Sequence, residues 1–238
     1  MPESALSHAV ILAAGRGTRM GQITEEIPKP MLPIKGRPML EHVVERLRVA
    51  GFSRFLLVIG YQGEIIEEHF RNSSDSIEFV WQKPVNGTGA GALLGRQFAG
   101  EQPFLLTYGD ILCDPAEYER ASSILTAEAG IAAAVAVKAV DDPWQGAAVY
   151  EENGRITRIL EKPPRGTSTI HWNSAGFYTF RPVIFDYLAR LTPSPRGEYE
   201  LTSAIDSMLA DRLDLRISPI EGPWRDVGRP EDLAAMNA

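Results

Sequence analysis

Short apolar runs alternate with amphipathic stretches through the first half of the chain, and this order restricts the possible folds most. The apolar runs predict strands at residues 10–14, 55–59, 77–81 and 104–108. The stretches between them have helical periodicity and predict helices at about 38–50, 64–70 and 90–98. We expect Ile65, Ile66 and Phe70 to be the side chains that pack the second of these helices against the core. Alternating strands and helices predict an α/β fold, in which a mixed, mostly parallel sheet carries helices on both faces.

The second half of the chain has a less regular pattern. Its predicted strands lie at 131–138, 147–151, 155–160, 177–180 and 213–220, and its predicted helices at 182–191, 200–211 and 230–236. Asn153-Gly154 separates two of these strands and is a strong hairpin signal. We expect a single domain over residues 1–238, whose halves, about 8–112 and 113–238, share one sheet. Residues 1–8 read as a short tail without the pattern of a signal peptide.

The composition narrows the class of function. The formal net charge is −7, whereas proteins that bind nucleic-acid phosphates are usually basic, so we expect no nucleic-acid partner. No apolar run approaches the ~20 residues of a membrane span, so we expect no membrane partner. Cys113 has no cysteine to pair with, which indicates a reducing, cytoplasmic location, and we expect it to be a buried filler rather than a nucleophile. The oligomeric state is left open, a homo-oligomer included.

A loop with two glycines follows the first predicted strand and reads Leu12-Ala13-Ala14-Gly15-Arg16-Gly17-Thr18-Arg19-Met20. The glycines let the backbone approach a phosphate with its N–H groups pointing inward, and the arginines add cations. Met20 stands where a dinucleotide-binding fingerprint needs a third glycine, and a Walker loop would end in Gly-Lys-Ser or Gly-Lys-Thr. The alternative interpretation is a tight strand-to-helix turn with surface arginines.

Two further positions carry charges that suit a phosphate site. Prolines on both sides of Lys29 stiffen the segment and would hold that ammonium in place beside Arg19, although a solvent-facing lysine is the simpler interpretation of this motif alone. Asp110 comes just past the strand at 104–108, where a carboxylate suits Mg²⁺, although an isolated Gly-Asp is usually a turn. Because Mg²⁺ takes hard oxygen ligands, it is the cofactor that we expect, and the histidines have no metal-ligand spacing.

Together, these segments resemble the N-terminal signature of the sugar-1-phosphate nucleotidylyltransferases. That family includes glucose-1-phosphate uridylyl- and thymidylyltransferases, mannose-1-phosphate guanylyltransferases and N-acetylglucosamine-1-phosphate uridylyltransferases. Later matches follow in the family's order and spacing: Gly60-Tyr61-x-Gly63, residues 82–89, Gly109-Asp110, Glu161-Lys162-Pro163, Asn173-x-Ala175-Gly176 and residues 224–228. The resemblance implies a Rossmann-like, glycosyltransferase-A-like fold. It also implies that an NTP and a sugar 1-phosphate are the partners and that pyrophosphate is released.

The resemblance also implies a set of site residues. The catalytic residues would be Arg19, Lys29, Asp110, Lys162 and Asp226, of which Asp110 and Asp226 would hold the Mg²⁺. The nucleotide would be bound by Leu12, Ala13, Gly15, Gly17, Gln82, Gly87 and Thr88. The sugar phosphate would be bound by Gly146, Glu161, Lys162 and Asn173.

The residue at the position of Gln82 pairs with the nucleobase in this family. A glutamine amide offers both a donor and an acceptor, which fits uracil or thymine, whereas guanine presents adjacent donors and favours a carboxylate. Gly87-Thr88-Gly89 looks more like the uridylyl enzymes than the thymidylyl enzymes. The sequence therefore ranks UTP first and dTTP second.

Several alternatives stay open at this point. The chain can be a regulatory subunit that binds a nucleotide or nucleotide sugar without turnover, a mannose-1-phosphate guanylyltransferase or a cytidylyltransferase. A Rossmann dehydrogenase is disfavoured, because the strand at 55–59 ends in Gly60-Tyr61 rather than in an acidic residue. The sequence does not choose among glucose, galactose, mannose, N-acetylglucosamine and N-acetylmuramic acid phosphates.

Overall fold

The structure of the chain, a computed structural model, describes residues 6–73 and 75–238. Part of the predicted tail, residues 1–5, lies outside the described residues, whereas Leu6 is buried and His8 begins the first strand. The strands are β1 (His8–Leu12), β2 (Pro33–Ile34), β3 (Arg37–Pro38), β4 (Arg54–Ile59), β5 (Ser76–Trp81), β6 (Phe104–Tyr108), β7 (Ile111–Cys113), β8 (Ile131–Ala139), β9 (Ala147–Glu152), β10 (Arg155–Glu161), β11 (Trp172–Phe180), β12 (Asp214–Pro219) and β13 (Trp224–Asp226). The α-helices are α1 (Met39–Val49), α2 (Gly63–Phe70), α3 (Thr88–Leu93), α4 (Arg96–Ala99), α5 (Pro115–Ala127), α6 (Ile184–Leu188), α7 (Leu201–Ala210) and α8 (Pro230–Asn237).

One large sheet unites the two halves of the chain, in the order β5-β4-β1-β6-β11-β8-β12-β10-β9. Strands β5, β4, β1 and β6 are parallel, as the alternation of strands and helices predicts. Strand β11 runs antiparallel to β6 and to β8, and β12 runs parallel to β8. The predicted α/β fold, with a mixed sheet, is confirmed. Because β11 runs antiparallel to both β6 and β8, its start lies at the same edge of the sheet as their carboxyl ends.

The two ends of the hairpin β9–β10 pair with different strands of the large sheet. Near its turn, Arg155 pairs with Arg216 of β12, and near its open end Ala148 pairs with Asn173 of β11. The register of β11 shifts between Ser174 and Tyr178, where the strand bends. Because Asn173 is near the start of β11, its pairing with Ala148 places the open end of the hairpin at the carboxyl edge of the parallel strands.

Helices cover both faces of the sheet. Alternate strand residues point to opposite sides, so that Ala9 and Ile11 of β1 join one buried apolar cluster and Val10 joins the other. Side chains of α1, α2 and α5 complete the first cluster, and those of α3, α4, α6 and α7 complete the second. None of the helices in the described part of the chain has the length and apolar character that a membrane crossing requires.

Three helix predictions are wrong in detail. The predicted helix at 182–191 is shorter in the structure, where α6 covers Ile184–Leu188. The predicted helix at 90–98 is interrupted, because Gly95 lies between α3 and α4 and packs against β1, where an added Cβ would be 3.1 Å from Val10 Cγ2. Ile65 is 39% exposed, so that Ile66 and Phe70 alone pack α2 on the core.

Three elements near the site are not evident from sequence patterns. Helix α5 buries Glu117 together with Tyr118, Ala121 and Leu125, and a charged residue on the buried face weakens the apolar periodicity that marks a helix. Strands β7 and β13 have three residues each and pair only with one another. So short a strand carries too little pattern to be predicted.

Candidate active site

A cleft of about 520 Å³ opens at the carboxyl edge of the parallel strands, where ligands bind in sheets of this kind. Strands β1 and β6 end on its floor, and the open end of the hairpin β9–β10 forms part of its far wall. All residues that the resemblance implies for the site line this one cleft, namely Leu12, Ala13, Gly15, Gly17, Arg19, Lys29, Gln82, Gly87, Thr88, Asp110, Gly146, Glu161, Lys162, Asn173 and Asp226.

The glycine loop and the proline-flanked lysine pack directly against each other. Gly17 has φ +67°, and a Cβ on it would lie 2.8 Å from the Cβ of Lys29, so only glycine fits there. Lys29 is 7% exposed, held at the start of a short 3-10 helix, Lys29–Met31. The guanidinium of Arg16, the neighbour of Gly17, lies 5.3 Å from the ring centroid of Tyr61, a cation–π contact that links the loop to the segment after β4. The simpler reading of Lys29 as a solvent-facing residue is wrong.

Two carboxylates stand side by side on the floor of the cleft. Asp110 follows β6, and the pairing of β7 with β13 places Asp226 opposite Ile111, with Val227 N donating to Asp110 O at 3.1 Å. Lys29 Nζ donates to Asp110 Oδ2. The positive charge of Arg19 acts on the second carboxylate, and Arg19 Nη1 and Asp226 Oδ1 each lie 3.4 Å from the position that a Cβ on Gly228 would take. Two anions and two cations therefore share this part of the cleft.

The pKa of Asp226 is raised by its burial and by the second carboxylate beside it. Burial raises it to about 6, and the neighbouring charge of Asp110 adds to the rise, against the opposing effects of Lys29 and Arg19. A divalent cation would relieve the repulsion between the carboxylates. Mg²⁺ binds through one or two carboxylates and completes its shell with water and substrate phosphates, and Asp110 and Asp226 offer such a pair. The residues present therefore fit the ion that the resemblance implies.

Gln82 lies buried at the end of β5, with 6% of its surface exposed. Its Nε2 donates to the carbonyl of Gly87 at 2.9 Å, which leaves one N–H and the carbonyl oxygen of the amide for another partner. A Cβ on Gly91 would lie 3.0 Å from Gln82 Oε1, so the glycine leaves room for the amide. Thr88 Oγ1 accepts from Leu201 N at 3.1 Å and ties the loop to α7.

Gly146 and Asn173 form the far wall of the cleft. A Cβ on Gly146 would lie 2.3 Å from Asn173 Oδ1, a buried oxygen without a hydrogen-bond partner in the described structure. Lys162 has φ +43°, an uncommon conformation for a lysine, and its N–H donates to Gly146 O at 2.7 Å. The unsatisfied oxygen and the left-handed lysine are features that recur at ligand-binding sites.

Glu161 lines the cleft beside this wall and lies in a cluster of charges. Burial and the charge of Glu200 raise its pKa above the ordinary value, while Arg196 and Lys162 lower it. Its two oxygens lie 3.5 Å from Arg196 Nη2 and 3.3 Å from Thr202 Oγ1. The sequence patterns do not single out Arg196, which stands in a Pro-rich stretch with the features of a surface loop. The Arg-Gly-Glu that precedes α7 is the one available signal, and it is weak.

The lone cysteine and the histidines are not part of this site. Cys113 is 2% exposed, and burial raises the pKa of its thiol to about 12, so the prediction of a buried filler is confirmed. His42 Nε2 and His171 Nδ1 each contact a backbone carbonyl oxygen, at 2.9 Å and 3.2 Å. His8 lies at the start of β1, and His69 contacts Glu41 on the surface.

The mixed sheet and the cleft at its carboxyl edge define a Rossmann-like α/β protein. The sequence model of the nucleotidyl transferase family matches residues 8–238, and the chain belongs to that family. The predicted resemblance is thereby confirmed.

Relatives and solved structures agree with this family. The bifunctional protein GlmU of Methanococcus aeolicus is 36% identical over 230 residues, which cover 96% of this chain and 53% of the relative. The chain thus spans about half the length of such relatives. The UTP–glucose-1-phosphate uridylyltransferase AglF of Haloferax volcanii is 35% identical, with 94% and 92% covered. A UDP-glucose pyrophosphorylase complexed with UDP-glucose superposes with a TM-score of 0.88 at 25% identity, covering 98% and 97%.

Proposed function

We propose that the chain transfers a nucleoside monophosphate from an NTP to a sugar 1-phosphate and releases pyrophosphate. The observation that carries the proposal is that one cleft holds two kinds of site. The glycine loop, Lys29 and the buried amide of Gln82 form one part, and Gly146, Glu161 and Asn173 form the other. The paired carboxylates lie in the same cleft. The names of AglF and of the UDP-glucose pyrophosphorylases support the same reaction class.

The proposed chemistry needs no general base. A phosphate monoester has its second pKa near ~6, so an oxygen of the sugar phosphate is already ionised near neutral pH. It would attack the α-phosphorus of the NTP in line with the departing pyrophosphate. The protein then contributes positioning and charge neutralisation.

Each charged side chain has a task in this mechanism. Asp110 and Asp226 would hold the Mg²⁺, which supplies positive charge to the phosphates when bound. Arg19 and Lys29 would bind the triphosphate, and Lys29 would exchange its carboxylate partner for a phosphate oxygen. Lys162 would bring the sugar phosphate to the NTP against the repulsion of two anions.

We propose UTP as the preferred nucleotide and dTTP as the second. Support comes from the buried amide of Gln82, whose free N–H and carbonyl oxygen match the adjacent acceptor and donor of uracil or thymine. Guanine carries adjacent donors at N1 and N2, for which a carboxylate would be the better partner. The uridylyltransferase among the relatives agrees with this order.

The decisive experiment is a pyrophosphate-release assay with Mg²⁺ across UTP, dTTP, GTP, CTP and ATP. Each nucleotide is combined with the 1-phosphates of glucose, galactose, mannose and N-acetylglucosamine and with N-acetylmuramic acid phosphate, and EDTA serves as the metal-free control. Turnover with UTP or dTTP would support the class and the role of Gln82, and would identify the sugar. A strong preference for GTP would keep the class and overturn the base assignment. Binding of a nucleotide without turnover on any combination would favour a regulatory subunit.

A further inference from the structure

Glu117 is a buried carboxylate that the proposed chemistry does not use. It lies in the first turn of α5, is 2% exposed and does not line the cleft. Burying a charged side chain is costly, so its retention calls for strong partners. Its Oε1 accepts from Gly222 N at 2.7 Å and from Glu221 N at 3.3 Å. These partners are backbone N–H groups of the segment that leads into β13.

The local sequence offers Glu117 a different partner. Asp114-Pro115-Ala116-Glu117 has the spacing of a capping box, in which the glutamate returns to the N–H of the capping residue. Asp114 does cap the helix, since its Oδ1 accepts from Ala116 N at 3.0 Å. The N–H of Asp114, however, donates to Pro223 O at 3.0 Å. Glu117 is thereby released from the capping box and holds the segment before β13.

These contacts continue to the floor of the cleft without interruption. After Pro223, the ladder between β13 and β7 pairs Trp224 with Cys113 and Asp226 with Ile111. The N–H of Val227 then donates to the carbonyl of Asp110 at 3.1 Å. A continuous series of backbone contacts therefore links the segment held by Glu117 to Asp226.

The environment of Glu117 is closely packed. A Cβ on Gly222 would lie 3.0 Å from Glu117 Oε1 and 3.3 Å from the Cβ of Asp114. Arg120 covers the site from outside, with Nε 3.4 Å from Glu117 Oε2 and Nη1 2.7 Å from Glu221 Oε1. The hydrogen bonds that Glu117 Oε1 accepts from the backbone are charge-assisted, and such bonds are stronger than neutral ones.

We propose that Glu117 is a positioning residue, which fixes the segment 221–223 and thereby sets Asp226 beside Asp110 for divalent-ion binding. The consequence for catalysis rests on the proposed function, whereas the fixing of the segment does not. Loss of the carboxylate should loosen residues 221–227 and weaken binding of the ion, while the sites for base and sugar stay intact.

The test compares Glu117→Ala and the near-isosteric Glu117→Gln with Glu119→Ala, a change at an exposed position of the same helix. Hydrogen exchange of the amides at 221–227 reports the segment directly. Binding of Mn²⁺ in the presence of UTP, followed by electron paramagnetic resonance, reports the ion site. In Glu117→Ala we expect amide exchange to be roughly 10- to 100-fold faster, as the loss of hydrogen bonds to a charged group implies. We expect Mn²⁺ affinity to fall about tenfold and the KM values for both substrates to stay within about threefold.

The outcomes separate positioning from mere structural support. An intermediate effect in Glu117→Gln, with wild-type behaviour in Glu119→Ala, would support the proposal. Unchanged exchange at 221–227 in folded Glu117→Ala, or faster exchange with unchanged Mn²⁺ affinity, would overturn it. If Glu117→Ala does not fold, the same readouts on Glu117→Gln decide. If the wild-type protein turns over no substrate pair, the proposed function fails, and amide exchange still decides whether Glu117 fixes the strand of Asp226.

Discussion

On the floor of the cleft, Asp110 accepts a hydrogen bond from a lysine and lies beside a second carboxylate. Its Oδ2 accepts from Lys29 Nζ, and its charge contributes to the raised pKa of Asp226. A single side chain therefore connects the proposed phosphate site with the proposed ion site. Asp110 lies with Gly109 in the two-residue connection between β6 and β7.

Replacing Asp110 by asparagine should remove most of the turnover while the fold is kept. Asparagine has nearly the same shape but lacks the charge that holds a divalent ion, and we expect kcat to fall by at least ~100-fold, as for the loss of an electrostatic catalytic group. Circular dichroism would check the fold and the pyrophosphate assay the rate. Asp206→Asn, at an exposed position of α7, is the control. Near-normal turnover in folded Asp110→Asn would count against the metal role.

The amide of Gln82 permits a test of nucleobase choice. In Gln82→Glu the side chain loses the N–H groups that bind the Gly87 carbonyl and would meet the base, and it gains a charge. We expect kcat/KM for UTP to fall roughly 10- to 100-fold, the size of one bidentate base contact. The exposed Gln102→Glu serves as the control. A UTP preference that survives the change intact would show that Gln82 does not select the base.

We expect the Glu161 carboxylate to lower the stability of the folded protein at neutral pH and to contribute to binding of the sugar 1-phosphate. Burial first, and the charge of Glu200 second, raise its pKa in the folded protein, so the unfolded chain loses this proton at a lower pH than the folded one. Stability is therefore lost as the pH rises from the ordinary carboxyl range, near ~4, through the higher folded pKa. Glu161→Gln should raise the free energy of unfolding at pH 7 more than at pH 4, and should weaken binding of sugar 1-phosphate. Urea unfolding at both pH values measures the difference. An equal effect at both would contradict the assigned shift.

At the scale of elements, the hairpin β9–β10 shows how a local turn serves the distant cleft. Asn153 has φ +53° and Gly154 has φ +79°, the left-handed pair that a tight hairpin turn requires. This turn sets the pairing of β9 with β10 and hence which residues reach the open end, where Gly146 and Glu161 line the cleft.

Alanine at Gly154 should destabilise the protein by about 1 kcal/mol, because a Cβ disfavours positive φ. No atom lies within 4 Å of that Cβ position, so the cost is one of backbone conformation alone. Gly130→Ala is the matched control, since its surroundings are equally open and its φ lies outside the left-handed region. Urea unfolding of the two variants measures the difference. Equal stabilities would show that the turn tolerates a side chain.

At the scale of the molecule, the two halves cannot be separated without exposing both cores. One apolar cluster joins Leu57 to Phe177, and the other joins Leu56 to Tyr178, so each draws on both halves of the chain. The pairing of β6 with β11 continues the sheet across the boundary. The single domain predicted over residues 1–238 stays a prediction that unfolding can test.

We therefore expect a single unfolding transition in urea. Far-UV circular dichroism and tryptophan fluorescence should give coincident midpoints, because Trp81 reports from the first half and Trp172 and Trp224 from the second. Binding of a nucleotide should raise that midpoint, since a ligand that binds only the folded state stabilises it. Two separate transitions would mean that the halves fold as independent units.

The sequence alone determined those parts of the protein that depend on neighbours along the chain. Apolar periodicity located most strands and helices of the large sheet, and Asn153-Gly154 located the hairpin, because turn and strand preferences act over a few residues. The glycine loop and the proline-flanked lysine were recognisable for the same reason. Their roles remain proposals, although all the implied residues line one cleft.

Only the tertiary structure decided which distant groups meet. Strand β13 is too short to show a pattern, yet its pairing with β7 sets Asp226 beside Asp110. Arg196 forms an ion pair with Glu161, and Glu117 accepts a hydrogen bond from Gly222 instead of closing its local capping box. Both contacts form because packing brings together segments that are far apart in the chain. Such contacts depend on the whole sheet and its helices being in place, and no local propensity encodes them.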